Sequence, residues 1–437
     1  MIVCKFGGSS VADATQIKKV KAILEADERR QIVVVSAPGK RSKEDTKVTD
    51  LLLSCYAMVQ KKGSCDEVFH QVAERYQQIM RDLQLDESLL TEELQEVQTR
   101  INGGESRDYA ASRGEYLNAL LVSKYLGWSF LDAEKVIALA PDGTVAPKTW
   151  FNLKKAIQPD KKYVVPGFYG QGEDGKIKTF SRGGSDISGA ILSKAVLAEL
   201  YENWTDVAGC FSADPRSIEG AYPNKSMTYQ EVRELSAFGA SVFHEEAIMP
   251  VRAENIPINI KNTNDPTADG TLICSTRDIN GPKLVGVSAV NGYTKLVIEK
   301  IMLFKNSSIR HAIVAMMHLK GISPAFSLYG VDSLVLYFDS AMISDEECQK
   351  MCERLKDEFY LDTIYCERGY AIIGIVGQGL TRVPHIVTEA SLALQKADID
   401  VKFLNYGASP VTLMIGVAAG KSHDAVQALF NELFLSL

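Results

Sequence analysis

The chain has 437 residues, 46% of them apolar and 24% charged, and a formal net charge of −7. That length exceeds a single hydrophobic core and leaves room for about two to four domains, and the composition excludes extended disorder. The mild acidity, spread along the chain, excludes an electrostatic footprint for nucleic acid or an anionic membrane. No apolar run approaches the roughly 20 residues that span a bilayer, so a cytoplasmic protein is expected.

Residues 1–8 read as a strand running straight into Gly7-Gly8, with no apolar signal region behind a basic start. The next segment carries helix signals: Asp13 as N-cap, Gln16 three residues on, then Ile17, Val20, Ile23 and Leu24 on one face. Short β-branched runs at 32–36, 163–166 and 200–204 alternate with amphipathic stretches, which predicts an α/β domain with a mainly parallel sheet covered on both faces. The basic loop Lys40-Arg41-Ser42-Lys43 is expected to be solvated. Between about 60 and 105 lies a charged helical stretch without strand character. It reads as an insertion over one sheet edge, with packing as its plain role and a substrate lid as the alternative. A further helix opens after Gly183-Gly184, with Ser185 or Asp186 as its expected cap.

The pattern breaks at Gly281-Pro282, where a domain boundary is placed. Beyond it Ile322, Phe326, Tyr329 and Gly330 recur as Ile399, Phe403, Tyr406 and Gly407, at a constant offset of 77. Each set sits in a strand–helix–strand–strand order, which predicts two ferredoxin-like α+β units. The expected domains are 1–280, 284–368 and 369–437. Gly374, Gly377 and Gly379 follow a strand, but no Rossmann half follows them, so they read as a tight turn.

Eight cysteines are scattered without a CxxC pair, Cys348 and Cys352 standing four apart on a predicted helix. They are expected to be reduced and structural. The six histidines are equally dispersed, and no tightly held transition metal is expected.

Chemistry concentrates at the two glycine turns. Gly7-Gly8-Ser9-Ser10 follows a strand and leads into a helix, so backbone N–H groups and a positive helix end can face phosphate, with Lys5 two residues upstream. Ser181-Arg182-Gly183-Gly184-Ser185-Asp186 repeats the device with a guanidinium and a carboxylate, which could equally pair with each other at the surface. GxxxxGK[ST] is absent, which sets aside a P-loop enzyme. Two anion-binding helix starts on one sheet still point to phosphoryl transfer.

These motifs resemble, in order, those of aspartate kinases in the amino-acid kinase superfamily: Lys5-Phe6-Gly7-Gly8-Ser9-Ser10, Ser112-Arg113-Gly114-Glu115, Gly167-Phe168, Arg182-Gly183-Gly184-Ser185-Asp186, Thr205-Asp206-Val207-Ala208-Gly209 and Asp214-Pro215-Arg216. The resemblance implies a three-layer kinase sandwich followed by two ACT units. It also implies ATP-dependent phosphorylation of the aspartate side chain with Mg²⁺, at the start of lysine, threonine and methionine biosynthesis. Carried over by position, it implies Lys5, Arg182 and Asp186 as the catalytic group. Lys5, Gly7, Gly8, Ser9, Thr205, Asp206, Phe211 and Arg216 would hold the nucleotide. Ser36, Thr49, Glu115, Phe168, Arg182 and Ser185 would line the aspartate pocket, Glu115 holding the substrate ammonium and Arg182 a carboxylate. In the first ACT-like unit Met302, Asn306, Ser307, Ser308 and Asp332 are candidates for a feedback amino acid, lysine or threonine, and helix capping explains each singly. Assembly as a homodimer or homotetramer through the ACT units is implied.

Two positions depart from the family pattern: Ser241 stands where many members have Lys, and Phe211 where a Tyr is common. Competing readings are a kinase for glutamate or N-acetylglutamate and a non-catalytic amino-acid sensor. The Ser-Arg-Gly-Glu stretch and ACT-like pair speak against the first, the retained Lys5, Glu115, Arg182 and Asp186 against the second. A fusion to homoserine dehydrogenase is not expected, since the sequence stops at Leu437 after the second repeat.

Overall fold

The computed structural model describes residues 1–180, 183–240, 243 and 245–435. Two compact units emerge, one made of 1–210, 223–236 and 241–278, the other of 211–222, 237–240 and 279–437.

The first unit is built on an eight-stranded sheet. Its order is Ser129–Phe130, Tyr163–Pro166, Arg30–Val35, Ile2–Phe6, Leu200–Thr205, Ile258–Asn262, Thr271–Cys274, Ser226–Thr228. All neighbours run parallel except Ile258–Asn262 against Thr271–Cys274. The central strand Ile2–Phe6 is buried at every position, which is why it reads as a continuous apolar run broken only by Lys5. The helix after it spans Ala14–Glu25, capped by the Asp13 carboxylate accepting from Gln16 N–H at 2.9 Å, and Ile17, Val20, Ile23 and Leu24 are its buried stripe.

The helix after the second glycine turn spans Gly184–Ala195, and here the cap differs from expectation. Gly183, at φ 68°, holds the N-cap position in a left-handed conformation that a side chain disfavours. Ser185 and Asp186 lie inside the first turn, so the Asp186 carboxylate is available for other partners.

The charged helical stretch packs inward. Helix Asp66–Asp82 buries Phe69, Val72, Tyr76, Ile79 and Met80, and with them Arg75. In the basic loop Arg41 pairs with Asp45 at 2.9 Å.

The second unit carries one six-stranded antiparallel sheet in the order Phe326–Tyr329, Ser333–Asp339, Gly286–Glu299, Thr363–Val376, Thr412–Ala418, Phe403–Ser409. The two copies of the sequence repeat thus form its opposite edges. Its middle strands, Gly286–Glu299 and Thr363–Val376, pair along their whole length, with a register irregularity between Asn291 and Lys295. Gly292 and Gly369, both at φ 88°, mark that irregularity. One core, with Leu296, Ile313, Leu334, Phe338, Met351 and Leu355, gathers around one half of the sheet. A second, with Val287, Ile373, Leu394, Ile415, Leu429 and Phe430, gathers around the other and takes in Ala213 and Ile218 from the excursion 211–222.

The glycines near 374–379 serve backbone packing. Gly377 N–H donates to Val411 O at 2.9 Å and Gly379 N–H to Lys283 O at 3.0 Å, making the expected tight turn. The cysteines depart from expectation: Cys348 and Cys366 are joined as a disulfide, because helix Asp345–Phe359 is laid against strand Thr363–Val376. No described helix is long and apolar enough to cross a membrane.

Candidate active site

Parallel strands deliver their C-terminal ends to one edge of the sheet, the usual place for a ligand in such folds. Phe6 is in register with Val35 on one side and with Trp204 on the other, and Val35 with Pro166. The residues just beyond, Gly7, Ser36, Thr205 and Gly167, therefore stand in a row. Three backbone bonds stitch that row: Gly7 N–H to Trp204 O at 3.0 Å, Ser36 N–H to Phe6 O at 3.2 Å, and Gly167 N–H to Val35 O at 3.0 Å.

Lys5 projects from the central strand beneath this row, and only 9% of the residue is exposed. Its ammonium lies 2.6 Å from Asp186 Oδ1, which comes from the first turn of helix Gly184–Ala195. Asn203, on the neighbouring strand, completes a triangle: its amide nitrogen donates to the same Asp186 oxygen at 2.9 Å, and its carbonyl oxygen accepts from Lys5 at 3.4 Å. Tyr201 OH donates to the Asp186 carbonyl at 3.0 Å. The lysine head is thereby held rather than left to swing, and a β-carbon placed on Gly7 would stand 3.5 Å from it. Lys5 and the first glycine turn thus share one site.

The other wall of that turn is the loop after the second strand. Gly39 N–H donates to Gly8 O at 2.9 Å, and a β-carbon on Gly39 would come within 2.6 Å of the Gly8 carbonyl carbon, so the two backbones touch. Arg75 binds both segments, donating to Gly39 O at 2.6 Å and Ala12 O at 3.1 Å while pairing with Asp45 at 2.7 Å. Ser9, in the short turn Gly8–Val11, is half-buried, and Ser10 Oγ meets Thr263 Oγ1 at 2.7 Å.

On the adjoining side, helix Arg107–Leu126 brings in Glu115, which is 5% exposed. Burial pushes its carboxyl up to about 8, opposed by the backbone N–H groups of Ala37 and of Glu115 itself and by the Arg113 charge. Its Oε2 is buried with no hydrogen-bond partner. A buried carboxyl oxygen without a partner is costly unless a ligand meets it. Arg113, next on the same helix, is enclosed by the rings of Tyr109, Tyr116 and Tyr169 at 4.5–5.1 Å. Half-buried Thr49 sits in the first turn of helix Val48–Lys62. Phe168 is at φ 81°, its N–H donating to Ser188 Oγ at 3.0 Å, and Ser185 packs so tightly on Gly167 that a β-carbon there would fall 2.6 Å from Ser185 Oγ.

The structure thus brings together Lys5, Gly7, Gly8, Ser9, Ser36, Phe168, Ser185, Asp186, Thr205 and Asp206 along one sheet edge. Thr205 Oγ1 donates to Asp206 at 3.2 Å. Arg182 and Ser241 lie outside the described residues. Phe211 and Arg216 group instead with the second unit, where the exposed Arg216 guanidinium is engaged by Asp214 at 2.9 Å. Asn203 and Arg75 went unnoticed in the sequence. Their signal was a polar side chain at a buried position, Asn203 in a sheet strand and Arg75 in the apolar stripe Phe69-Val72-Tyr76-Ile79.

In the second unit the five candidate effector residues share one corner. Met302, at φ 62°, donates its N–H to Asp332 Oδ1 at 2.7 Å. Asn306 caps helix Ser307–Leu319, accepting from Ser308 Oγ at 2.8 Å and Ile309 N–H at 3.4 Å.

Residues 1–262 match the amino acid kinase family, and residues 373–433 match the ACT domain. Aspartokinase 3 of Bacillus subtilis (strain 168) is 35% identical over 449 residues, covering 99% of each chain. The crystal structure of Clostridium acetobutylicum aspartate kinase superimposes with a TM-score of 0.91 at 39% identity, over 99% of this chain and 100% of that one. E. coli aspartokinase III in complex with aspartate and ADP shares the fold, at a TM-score of 0.81 and 23% identity, over 99% of this chain and 100% of that one. With a family match over more than half of its length and a relative 35% identical along the whole of it, the chain belongs to the amino acid kinase family, among its aspartokinases.

Proposed function

We propose that this enzyme transfers the γ-phosphoryl group of ATP to the side-chain carboxylate of L-aspartate, giving ADP and 4-phospho-L-aspartate. The observation that carries the reading is Lys5, fixed by Asp186 and Asn203 beside the Gly7-Gly8 turn, with the buried, unpartnered Oε2 of Glu115 in the same unit.

The geometry suits a reaction without a catalytic base. Aspartate, with a side-chain pKa near 4, is already a nucleophile at neutral pH. One of its carboxylate oxygens attacks the γ-phosphorus as the bond to the β-phosphate oxygen breaks, and the electron pair leaves on ADP. What the site must supply is alignment and relief of repulsion between two anions. Lys5 neutralises charge that grows on the phosphoryl oxygens, and Asp186 with Asn203 keeps that ammonium aimed. Backbone N–H groups of Gly7, Gly8 and Ser9 and the edge residues Thr205 and Asp206 are assigned to the nucleotide, as are Phe211 and Arg216. Glu115 is assigned to the substrate ammonium and Arg182 to a substrate carboxylate, with Ser36, Thr49, Phe168 and Ser185 shaping the pocket.

Mg²⁺ asks for hard oxygen ligands. Around the glycine turn the protein offers backbone N–H groups, an ammonium and one carboxylate already shared with Lys5 and Asn203, a donor set that fits a cation carried in on phosphate oxygens. Such a cation would screen the β- and γ-phosphates, with Asp206 a further carboxylate in the row.

Catalysis is assigned to 1–280 and amino-acid sensing to 284–368 and 369–437, with lysine or threonine bound at the corner of Met302, Asn306, Ser307, Ser308 and Asp332. A cytoplasmic homodimer or homotetramer joined through the ACT units accompanies this reading. The deciding experiment is ATP- and Mg²⁺-dependent acyl phosphate formation, trapped with hydroxylamine, on aspartate, glutamate and N-acetylglutamate, each with and without lysine or threonine. Turnover confined to aspartate and lowered by one added amino acid is expected. Turnover on another acid, or none at all, refutes the assignment.

A further inference from the structure

Three of the scattered cysteines are regathered by the fold. Cys348 and Cys352 stand one turn apart on helix Asp345–Phe359, and Cys366 lies on strand Thr363–Val376 against which that helix packs. All three sulfurs lie within 4.8 Å of one another, with Cys352 Sγ 3.6 Å from Cys366 Sγ. Cys348 and Cys352 are 4% and 9% exposed and belong to the apolar core of this half of the sheet. The Cys348–Cys366 bond uses two of the three and leaves Cys352 over. The α-carbons of the bonded pair are 7.0 Å apart, beyond the usual disulfide range of about 4.4–6.8 Å.

A cation answers both features. Metal–sulfur bonds of about 2.3 Å in a tetrahedral site set sulfurs roughly 3.8 Å apart, and they tolerate wider backbone spacing than a direct sulfur–sulfur bond. Helix positions i and i+4 put two ligands on one face, and the neighbouring strand supplies the third. A cavity of about 490 Å³ adjoins the sulfurs, bordered by Glu353 and by Asp345, which is ion-paired with Arg368. It gives a fourth ligand, water or a carboxylate, a way in.

We propose that in its reduced state the Cys348, Cys352, Cys366 cluster is a three-thiolate binding site for a thiophilic cation of the zinc class. Reduction of the Cys348–Cys366 bond takes two electrons and two protons from a thiol reductant, which leaves as its own disulfide, and yields three thiols. Zn²⁺ then forms three sulfur–metal bonds and displaces three protons to solvent. The site ties helix Asp345–Phe359 to strand Thr363–Val376, and it differs from the sequence expectation of no tightly held transition metal because the ligands come from elements that only packing brings together.

The test uses the full chain, reduced anaerobically with a phosphine, which becomes its oxide, and titrated with Co²⁺ and then Zn²⁺. Expected are one equivalent of Co²⁺ with thiolate-to-cobalt charge-transfer absorption, its displacement by Zn²⁺, and a raised thermal midpoint. Cys352→Ser is expected to weaken binding at least tenfold, whereas Cys274→Ser, in the first unit, leaves it unchanged. Absence of the charge-transfer band overturns the proposal, as does a band indifferent to Cys352→Ser. Complete return of the Cys348–Cys366 disulfide in air with excess Zn²⁺ present, and no zinc retained, overturns it too.

Discussion

Replacing Glu115 by Gln isolates the role of a single buried charge. In the free protein the Glu115 carboxyl titrates at about 8 because burial disfavours its ionised form. At pH 7 it is therefore about nine-tenths protonated, and ionising it to meet a substrate ammonium costs about 1.4 kcal/mol. Aspartate affinity should accordingly rise about tenfold per pH unit from 6 toward 8 and then level off, with nearly one proton released on binding at pH 7. The Gln variant lacks the charge altogether. Removing one partner of a buried pair costs about 3–5 kcal/mol; less the ionisation cost already borne at pH 7, roughly 2–4 kcal/mol remains, or roughly 30- to 900-fold in aspartate KM. Isothermal titration in two buffers of different ionisation enthalpy reads the proton count, and KM between pH 6 and 9 reads the slope. The stability test has the opposite sign. A carboxyl with a raised folded-state pKa contributes its full stability below the unfolded value of 4.5 and loses it as pH rises through about 8. Glu115→Gln suffers no such loss and should gain on the parent by roughly 4 kcal/mol between pH 5 and pH 9 in urea denaturation. A flat pH profile of KM in the parent, or a variant within threefold of it, refutes the reasoning.

Lys5→Ala should lower kcat by about 10²–10³ with the fold retained by circular dichroism; near-normal turnover in the hydroxylamine assay would remove Lys5 from the mechanism. Gly39→Ala pushes a β-carbon into the backbone of the first glycine turn and should raise the KM for ATP at least tenfold while aspartate binding, read by calorimetry, changes little. Arg277 and Glu231 form an ion pair at 2.6 Å with exposures of 2% and 0%. Arg277→Ala should therefore cost about 3–5 kcal/mol in urea denaturation, and a loss under 1 kcal/mol would show that water reaches the pair. Asn306→Ala removes the cap of helix Ser307–Leu319, about 1 kcal/mol. If that corner seats the feedback amino acid, half-inhibition should move at least fivefold with basal turnover unchanged.

The glycine turns were legible because each is contiguous: strand, two glycines, helix. The stripe Ile17, Val20, Ile23, Leu24 and the Asp13 cap were legible for the same reason, since local periodicity and capping need no distant partner. Helix Gly184–Ala195 misled at its cap because Ser and Asp are good caps in general, whereas here the preceding glycine takes that position and the carboxylate serves Lys5. Asn203 and Arg75 resisted reading because their partners are 198 and 36 residues away, on other elements. The cysteine cluster was hidden likewise: the helical pair was visible, but the sulfur that completes it belongs to a strand whose packing no local pattern announces. The 77-residue repeat disclosed two similar units, while the excursion 211–222 into the second unit left no mark in composition.

Gly286–Glu299 and Thr363–Val376 each run through both halves of the six-stranded sheet. Tandem modules usually communicate through a connector whose length and stiffness can drift during evolution, weakening or sharpening their dialogue. Here the connector is a hydrogen-bonded ladder. One residue added to either strand would turn every later side chain to the opposite face, so the mechanical gearing between the two sensing halves is quantised: it does not admit gradual change in length, and the left-handed glycines at the irregularity resist replacement as well.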